Sequence, residues 1–266
     1  MTLRFAAGLI CLLLATVQRA SAEAGDQTPI CADRPTKSNN ACAVDPGTWQ
    51  LETDLFNGTF QRGGGVTTDT WLITNPTLKY GIAENWDVEA SIAPYEIART
   101  HDAFGTRALD GIGDLFLKLK YDAIPQGEVQ LGFIPYVKLP TARDGIGNGA
   151  VEGGVSVPVN ITLSEVWSLG FSPEFDALKN ANGNGRHFNT GQTVVVGYAL
   201  PGDVTLNAEM WGDWNDDPAG APTQYSLDFA ATKLLTKTFQ IDGGVNIGLN
   251  RATPDVQLYT GMATKF

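Results

Sequence analysis

From residue 48 onward the chain alternates apolar and polar positions with a period of two, the mark of strands with two unlike faces. In residues 113–122, Leu115, Leu117, Leu119 and Tyr121 oppose Asp114, Phe116, Lys118 and Lys120. In residues 48–60, Trp49, Leu51 and Leu55 oppose Gln50, Glu52 and Asp54. The same pattern predicts strands over 67–80, 86–95, 128–138, 151–163, 167–179, 188–200, 204–214, 224–234, 239–250 and 256–266, twelve in all. Helical periodicity is almost absent, so the expected class is all-β.

Alternation alone fits a soluble sandwich as well as a membrane barrel. Strand length separates them. Runs of about 10 to 14 residues exceed the usual 5 or 6 of soluble sheets, and a tilted strand needs about 9 to 11 to cross hydrocarbon. Tight turns at 81–85, 123–127, 164–166, 201–203 and 235–238 alternate with generally longer loops at 61–66, 96–112, 140–150, 180–187, 215–223 and 251–255. That rhythm marks a transmembrane barrel with short periplasmic turns. Trp49, Tyr80, Trp86, Tyr121, Trp167, Tyr198, Phe239 and Phe266 fall at the turn ends of their strands, all on the apolar parity. An aromatic belt at one headgroup level accounts for them. The expectation is a transmembrane antiparallel up-and-down β-barrel of twelve strands in a bacterial outer membrane, with both termini periplasmic. Lipid and lipopolysaccharide would surround it. The last strand, ending in Phe266, would be read by the barrel-assembly machinery. Lys233 resists, having lipid-facing parity near a strand end. Snorkelling to the headgroups and a register slip both remain open.

Residues 1–22 read as a cleavable export signal: Arg4, an apolar run over 5–17, then Ala20-Ser21-Ala22. Its removal takes Arg4 and Arg19 and moves the formal charge from −11 to −13. That balance argues against nucleic-acid partners. Residues 23–47 form an N-terminal periplasmic segment too short for a plug domain; whether it tucks into the barrel mouth stays open. Residues 48–266 form the barrel. Cys31 and Cys42 are expected to pair in an oxidising periplasm, with two unpaired thiols as the alternative.

Parity sends Glu52, Asp54, Asp69, Lys79, Asp87, Glu89, Asp114, Lys118, Lys120, Lys138, Glu152, Glu174, Asp176, Glu209, Asp213, Asp228, Asp242 and Lys265 to the lumen. A wet pore with this acid excess favours cations and neutral polar solutes. The alternative is that the charges pair and fill the barrel, since twelve strands lie between a plugged and an open cylinder. Lys118 and Lys120, two apart on one strand, are candidates for holding an anionic group of a solute or for a structural ion-pair ladder.

Asp33-Arg34-Pro35, the stretch from Gly111 to Tyr121, Lys138-Leu139-Pro140-Thr141 and the stretch from Gly248 to Asp255 together resemble the outer-membrane transporter family of the phenol meta-pathway degradation type, over about residues 31–266. The resemblance implies a barrel passing small solutes, aromatic or hydrophobic compounds among them. The rival reading is a non-conducting structural or adhesive barrel acting through its loops. No enzyme is expected. A lipase would need a Ser beside a His on the outer face, and His101 and His187 both fall in predicted loops. No cofactor or metal is expected either: Asp213, Asp216 and Asp217 match no calcium-loop spacing and read as a solvated loop. The glycine-rich stretches read as turns.

Overall fold

A computed structural model describes residues 28–266. The expected export signal lies outside the described residues. Sixteen strand segments follow: β1 (Trp49–Gly63), β2 (Val66–Ile73), β3 (Thr77–Ala83), β4 (Trp86–Ile92), β5 (Tyr95–Asp102), β6 (Gly105–Gly111), β7 (Leu115–Ile124), β8 (Val129–Leu139), β9 (Glu152–Ser156), β10 (Val159–Thr162), β11 (Trp167–Lys179), β12 (Arg186–Leu200), β13 (Val204–Asn215), β14 (Gln224–Thr236), β15 (Phe239–Gly248) and β16 (Val256–Lys265). β2 runs on into β3, β4 into β5, β6 into β7 and β9 into β10, giving twelve antiparallel barrel strands. The ring closes where β16 pairs with β1, from Gln50 opposite Lys265 to Phe60 opposite Val256. Around the closed ring no edge is left open, which hydrocarbon requires because it offers backbone groups no partner, while β6 pairs with β5 alone.

The interruptions differ from the sequence expectation and have local causes. Continuous strands are expected over 67–80 and 151–163, but Pro76 and Pro158 lack the N–H that a ladder needs. Pro94 does the same between β4 and β5. Before Pro76, Thr74 takes a φ of 57°, an unusual conformation for a β-branched residue. The expected loop 96–112 is largely a hairpin: β5 pairs with β2 on one side and β6 on the other. Its sequence reads as a loop because both faces are polar. This hairpin continues the wall past the level of the strand breaks, where no lipid-facing apolar row is needed.

The burial pattern inverts that of a soluble protein. Lys79, Lys120, Gln50 and Glu209 are among the largest fully buried side chains, while Leu55, Leu117, Phe133, Met210, Phe229 and Leu258 lie exposed on the outside. A bulge between Asp54 and Phe56 resets the parity of β1, so that Asn57 rather than Phe56 turns inward.

At the turn end the aromatic residues pair across strands. Trp49 lies opposite Tyr80 with ring centroids 4.5 Å apart, Trp86 stacks on Tyr121 at 4.3 Å, and Trp167 meets Tyr198 at 4.5 Å. Phe266 exchanges two backbone hydrogen bonds with Trp49 beside them. Lys233 stays in register opposite Val204, and its ammonium donates to the Gly202 carbonyl in the adjacent turn. It therefore reaches the rim by extension of its stem, without a register slip.

Nitroxide labels at Leu117 and Lys118, one residue apart on β7, should report opposite surroundings. Lipid-borne oxygen is expected to relax the label at 117 more strongly than an aqueous quencher, and the reverse is expected at 118. Equal accessibility at both sites would remove the two-sided wall.

Candidate functional site

The candidate site is the lumen, and the chain's own N-terminal segment lies in it. Residues 28–47 enter at the turn end, turn back around residues 33–40 and leave into β1. Lys265 pins both limbs, donating to the Thr28 carbonyl at 2.5 Å and to the Asp45 carboxylate at 2.8 Å. Cys31 and Cys42 are joined as a disulfide that ties the two limbs together, with Cα atoms 6.2 Å apart.

Much of the docking uses backbone. The N–H groups of Asp33 and Arg34 donate to Glu52 at 3.2 Å, and those of Lys37 and Ser38 donate to Glu209 at 2.9 and 2.8 Å. On the returning limb, Ala41 N–H donates to Asn160 and Val44 N–H to Asp87, both at 2.8 Å. These wall side chains satisfy main-chain donors that no strand ladder or helix serves.

Three charged side chains of the segment complete the contact. Asp33 accepts from Lys120 at 2.8 Å and from Lys79, which itself lies 2.6 Å from Glu52. Burial alone would raise the Asp33 pKa, but the ammonium groups of Lys120 and Lys79 outweigh it and hold the carboxyl well below the usual range. The Arg34 guanidinium bridges Asp54 at 2.5 Å and Asp242 at 2.9 and 3.1 Å. A Cβ at Gly261 would overlap that guanidinium, so glycine is required where Arg34 crosses β16. Lys37 donates to Asp228 at 2.9 Å and to Ser226 at 2.6 Å, with its ammonium 4.4 Å from the Trp211 ring centre.

The lumen charge is uneven around the ring. Lys79, Lys118, Lys120 and Lys138 all project from β3, β7 and β8. From β11 to β15 come Glu174, Asp176, Glu209, Asp213, Asp228 and Asp242, and on that arc the segment supplies Arg34 and Lys37 as partners. The sequence marks Arg34 only as part of a family motif and gives neither Arg34 nor Lys37 a place in the lumen. The signal available was the acid surplus itself, which in a confined tube calls for cations from elsewhere.

Glu52, Asp54, Lys79, Asp87, Glu89, Lys120, Lys138, Glu152, Asp176, Glu209, Asp228, Asp242 and Lys265 are buried. Asp114, Lys118, Glu174 and Asp213 are half-buried. Asp69 sits on β2 past the breaks, partly exposed and apart from the cluster around the segment. Lys118 and Lys120 do not act as a pair: Lys120 is committed to Asp33 and Glu89, whereas Lys118 has Glu89 alone, at 3.8 Å. Towards the loop end, Lys138 bridges Asp114 and Glu152 at 3.2 and 2.8 Å, and the Tyr136 hydroxyl donates to Asp176 at 2.7 Å. His101 contacts Thr106; His187 contacts Asn180 and lies 3.7 Å from Asp217. Asp217 also accepts the Ala181 N–H at 2.7 Å, so it ties two loops together.

Space remains around the segment. A cavity of about 690 Å³ opens at the turn end, where Asn160, Ser168, Asn207, Thr232 and Gln240 face the segment. A second, of about 230 Å³, lies at the level of three strand breaks and is lined by Leu72, Asn75, Ala93, Gly113, Phe116 and Ile146. Two more, of about 150 and 140 Å³, flank Lys118 above the turn of the segment.

Residues 32–266 match the family model described as "Putative MetA-pathway of phenol degradation". The chain belongs to this family. The resemblance carried by Asp33-Arg34-Pro35 is thereby established, and those residues are the tip of the segment inside the barrel. No curated protein matches the chain. Among solved structures, the COG4313 outer membrane channel from Pseudomonas putida F1 is similar, with a TM-score of 0.66 and 15% identity over 87% of this chain and 100% of that one. The transport unit of the autotransporter AIDA-I from Escherichia coli matches with a TM-score of 0.50 and 11% identity over 94% of this chain and 96% of that one. At these identities the likeness shows the fold: a twelve-stranded barrel of the outer-membrane kind.

Arg34→Ala leaves Asp54 and Asp242 without their cation, a change that costs about 3–5 kcal/mol for a broken buried pair. The amides of residues 33–38 are expected to exchange hydrogen far faster in the variant. Unchanged protection would show that the fork does not hold the segment. Docking lowers the Asp33 pKa, so its contribution is present above the ordinary aspartate value of about 4 and fades as pH falls through the lower docked value. Protection of the Asp33 and Arg34 amides should therefore hold from pH 7 down to about 4 and decline only in stronger acid. A loss between pH 7 and 5 would contradict this assignment.

Proposed function

We propose that this protein is an outer-membrane channel that lets small solutes pass without an energy source, with aromatic or hydrophobic compounds as its preferred cargo. The observation that carries the reading is the seating of residues 28–47. They fill the lumen largely through hydrogen bonds and ion pairs, with Ala32, Ala41 and Val44 as small buried apolar residues, and the polar part of that seat is one that water and ions can replace once the segment shifts. A purely structural barrel could fill its interior with wall side chains, as eight-stranded barrels do. The family description and the channel likeness in Pseudomonas putida F1 supply the solute class and the precedent.

In this reading the short turns and both termini face the periplasm, and the longer loops face outward. The aromatic row sits at the inner headgroup level, lipid and lipopolysaccharide surround the wall, and Phe266 presents the final strand to the assembly machinery. Solutes enter from the loop side, where the cavities at the strand breaks and around Lys118 lie, and leave past the segment into the polar turn-end cavity. The acid surplus on β11–β15 makes the pathway favour cations and neutral solutes over anions. The loop side also gives the rival reading one foothold. Phe104, at the tip of the β5–β6 hairpin, is 93% exposed and is an apolar contact point for an adhesive barrel.

Planar-bilayer recording tests the proposal. The full-length mature protein is expected to give a small conductance, and deletion of residues 29–44 should raise it several-fold with preference for cations. Heat-modifiable migration on a gel verifies folding of both proteins. Silence from both folded proteins at all voltages would favour the non-conducting barrel. Anion preference in the deletion variant would overturn the selectivity.

A further inference from the structure

We infer that the first limb of the inserted segment, residues 28–34, is a clasp that holds the barrel shut at the seam between β16 and β1. This role is independent of conduction and stands whether or not solutes pass. The seam joins the first and last strands of the barrel, which share no connecting loop. Pairing strands so far apart in the chain carries a larger loop-closure entropy than pairing strands joined by a turn.

Three successive inward rows cross the seam, and the limb is attached to each of them. In the row nearest the turns, Gln50 of β1 pairs with Lys265 of β16. Gln50 donates to the Cys31 carbonyl at 2.7 Å, and Lys265 donates to the Thr28 carbonyl at 2.5 Å. In the next row, Glu52 of β1, Ala263 of β16 and Gln240 of β15 lie side by side. Glu52 accepts the Asp33 and Arg34 N–H groups, and Gln240 donates to the Arg34 carbonyl at 3.4 Å. In the third row, Gly261 of β16 is the register partner of both Asp54 on β1 and Asp242 on β15. The Arg34 guanidinium lies over that glycine and is bonded to both carboxylates. Two of the three rows thus carry only alanine or glycine on β16, and Ala263 is wholly buried. Residues this small leave a trough along the strand in which the limb lies.

The clasp works through charge. Asp54 and Asp242 stand two strand spacings apart, about 10 Å. Without Arg34 the two carboxylates repel across the junction, and with it both are drawn to one cation. The segment also runs on into β1, so its hold on β15 and β16 keeps β1 in place by a route separate from the backbone ladder. The tip of the segment takes no part in this. Lys37 is held by Ser226 and Asp228 on β14, and the Ser38 N–H by Glu209 on β13.

Hydrogen exchange of the full-length mature protein in detergent micelles, followed through guanidinium concentrations below the unfolding midpoint, tests the clasp. In the wild type, the amides of Asp33 and Arg34 and those pairing β1 with β16 are expected to open in one step, ahead of the β11–β12 ladder. In Arg34→Ala the seam amides should exchange at least about tenfold faster while the β11–β12 amides keep their rate. Lys37→Ala should leave the seam as it is in the wild type. Adding Asp242→Asn to Arg34→Ala should restore most of the lost protection, because one of the two repelling carboxylates is gone. Release of Asp33 and Arg34 in the wild type while the seam stays protected would overturn the clasp, and this comparison decides the matter if a variant fails to fold. Equal loss at the seam in Lys37→Ala, or a double variant more labile than Arg34→Ala alone, would overturn it too.

Discussion

Everything in this molecule follows from the absence of hydrogen-bonding partners in hydrocarbon. A strand crossing the bilayer must find both neighbours within the protein, and β16 meeting β1 satisfies that demand around the full circle. Closure then fixes which face is inside. Side chains that would be the surface of a soluble sheet become the contents of a tube, and Lys79, Lys120 and Glu209 end up buried while leucines and phenylalanines face outward.

A tube filled with carboxylates creates its own electrostatic problem. On β3, β7 and β8 the wall answers it with lysines. On β11–β15 the wall offers acids, and the answer comes from a separate piece of chain. Arg34 and Lys37 arrive on the inserted segment, one forked between Asp54 and Asp242, the other held by Asp228 and Ser226 over Trp211. The same acids and their neighbours receive the segment's backbone N–H groups, so the insert is bound partly by charge and partly by main chain.

The strand breaks belong to the same logic. Three neighbouring strands lose their ladder at one level, at residues 74–76, 93–94 and 112–114, and the wall there gains a cavity that reaches inward towards Lys118. Proline causes two of these breaks by removing a donor. Beyond them the wall continues as the β2–β5–β6 sheet, whose β5–β6 hairpin carries mostly polar residues. Phe116 lines both the cavity at the break and the lumen beside Lys118.

The sequence by itself determined the class, the strand count, the turn rhythm, the aromatic row and the inward parity of the ionisable residues, because each depends on periods of two and on local turn chemistry. It misread the β5–β6 hairpin, since a strand without an apolar face carries no alternating signal, and it joined strands across Pro76 and Pro158. Neither the docking of residues 28–47 nor the roles of Arg34, Lys37 and Asp33 could be read from the chain. Their partners lie on strands up to 237 residues away, and parity says which way a side chain points without saying whom it meets. The division of Lys118 from Lys120 was decided the same way. The two are equivalent in pattern, and only the position of Asp33 in three dimensions engages one and leaves the other facing open space.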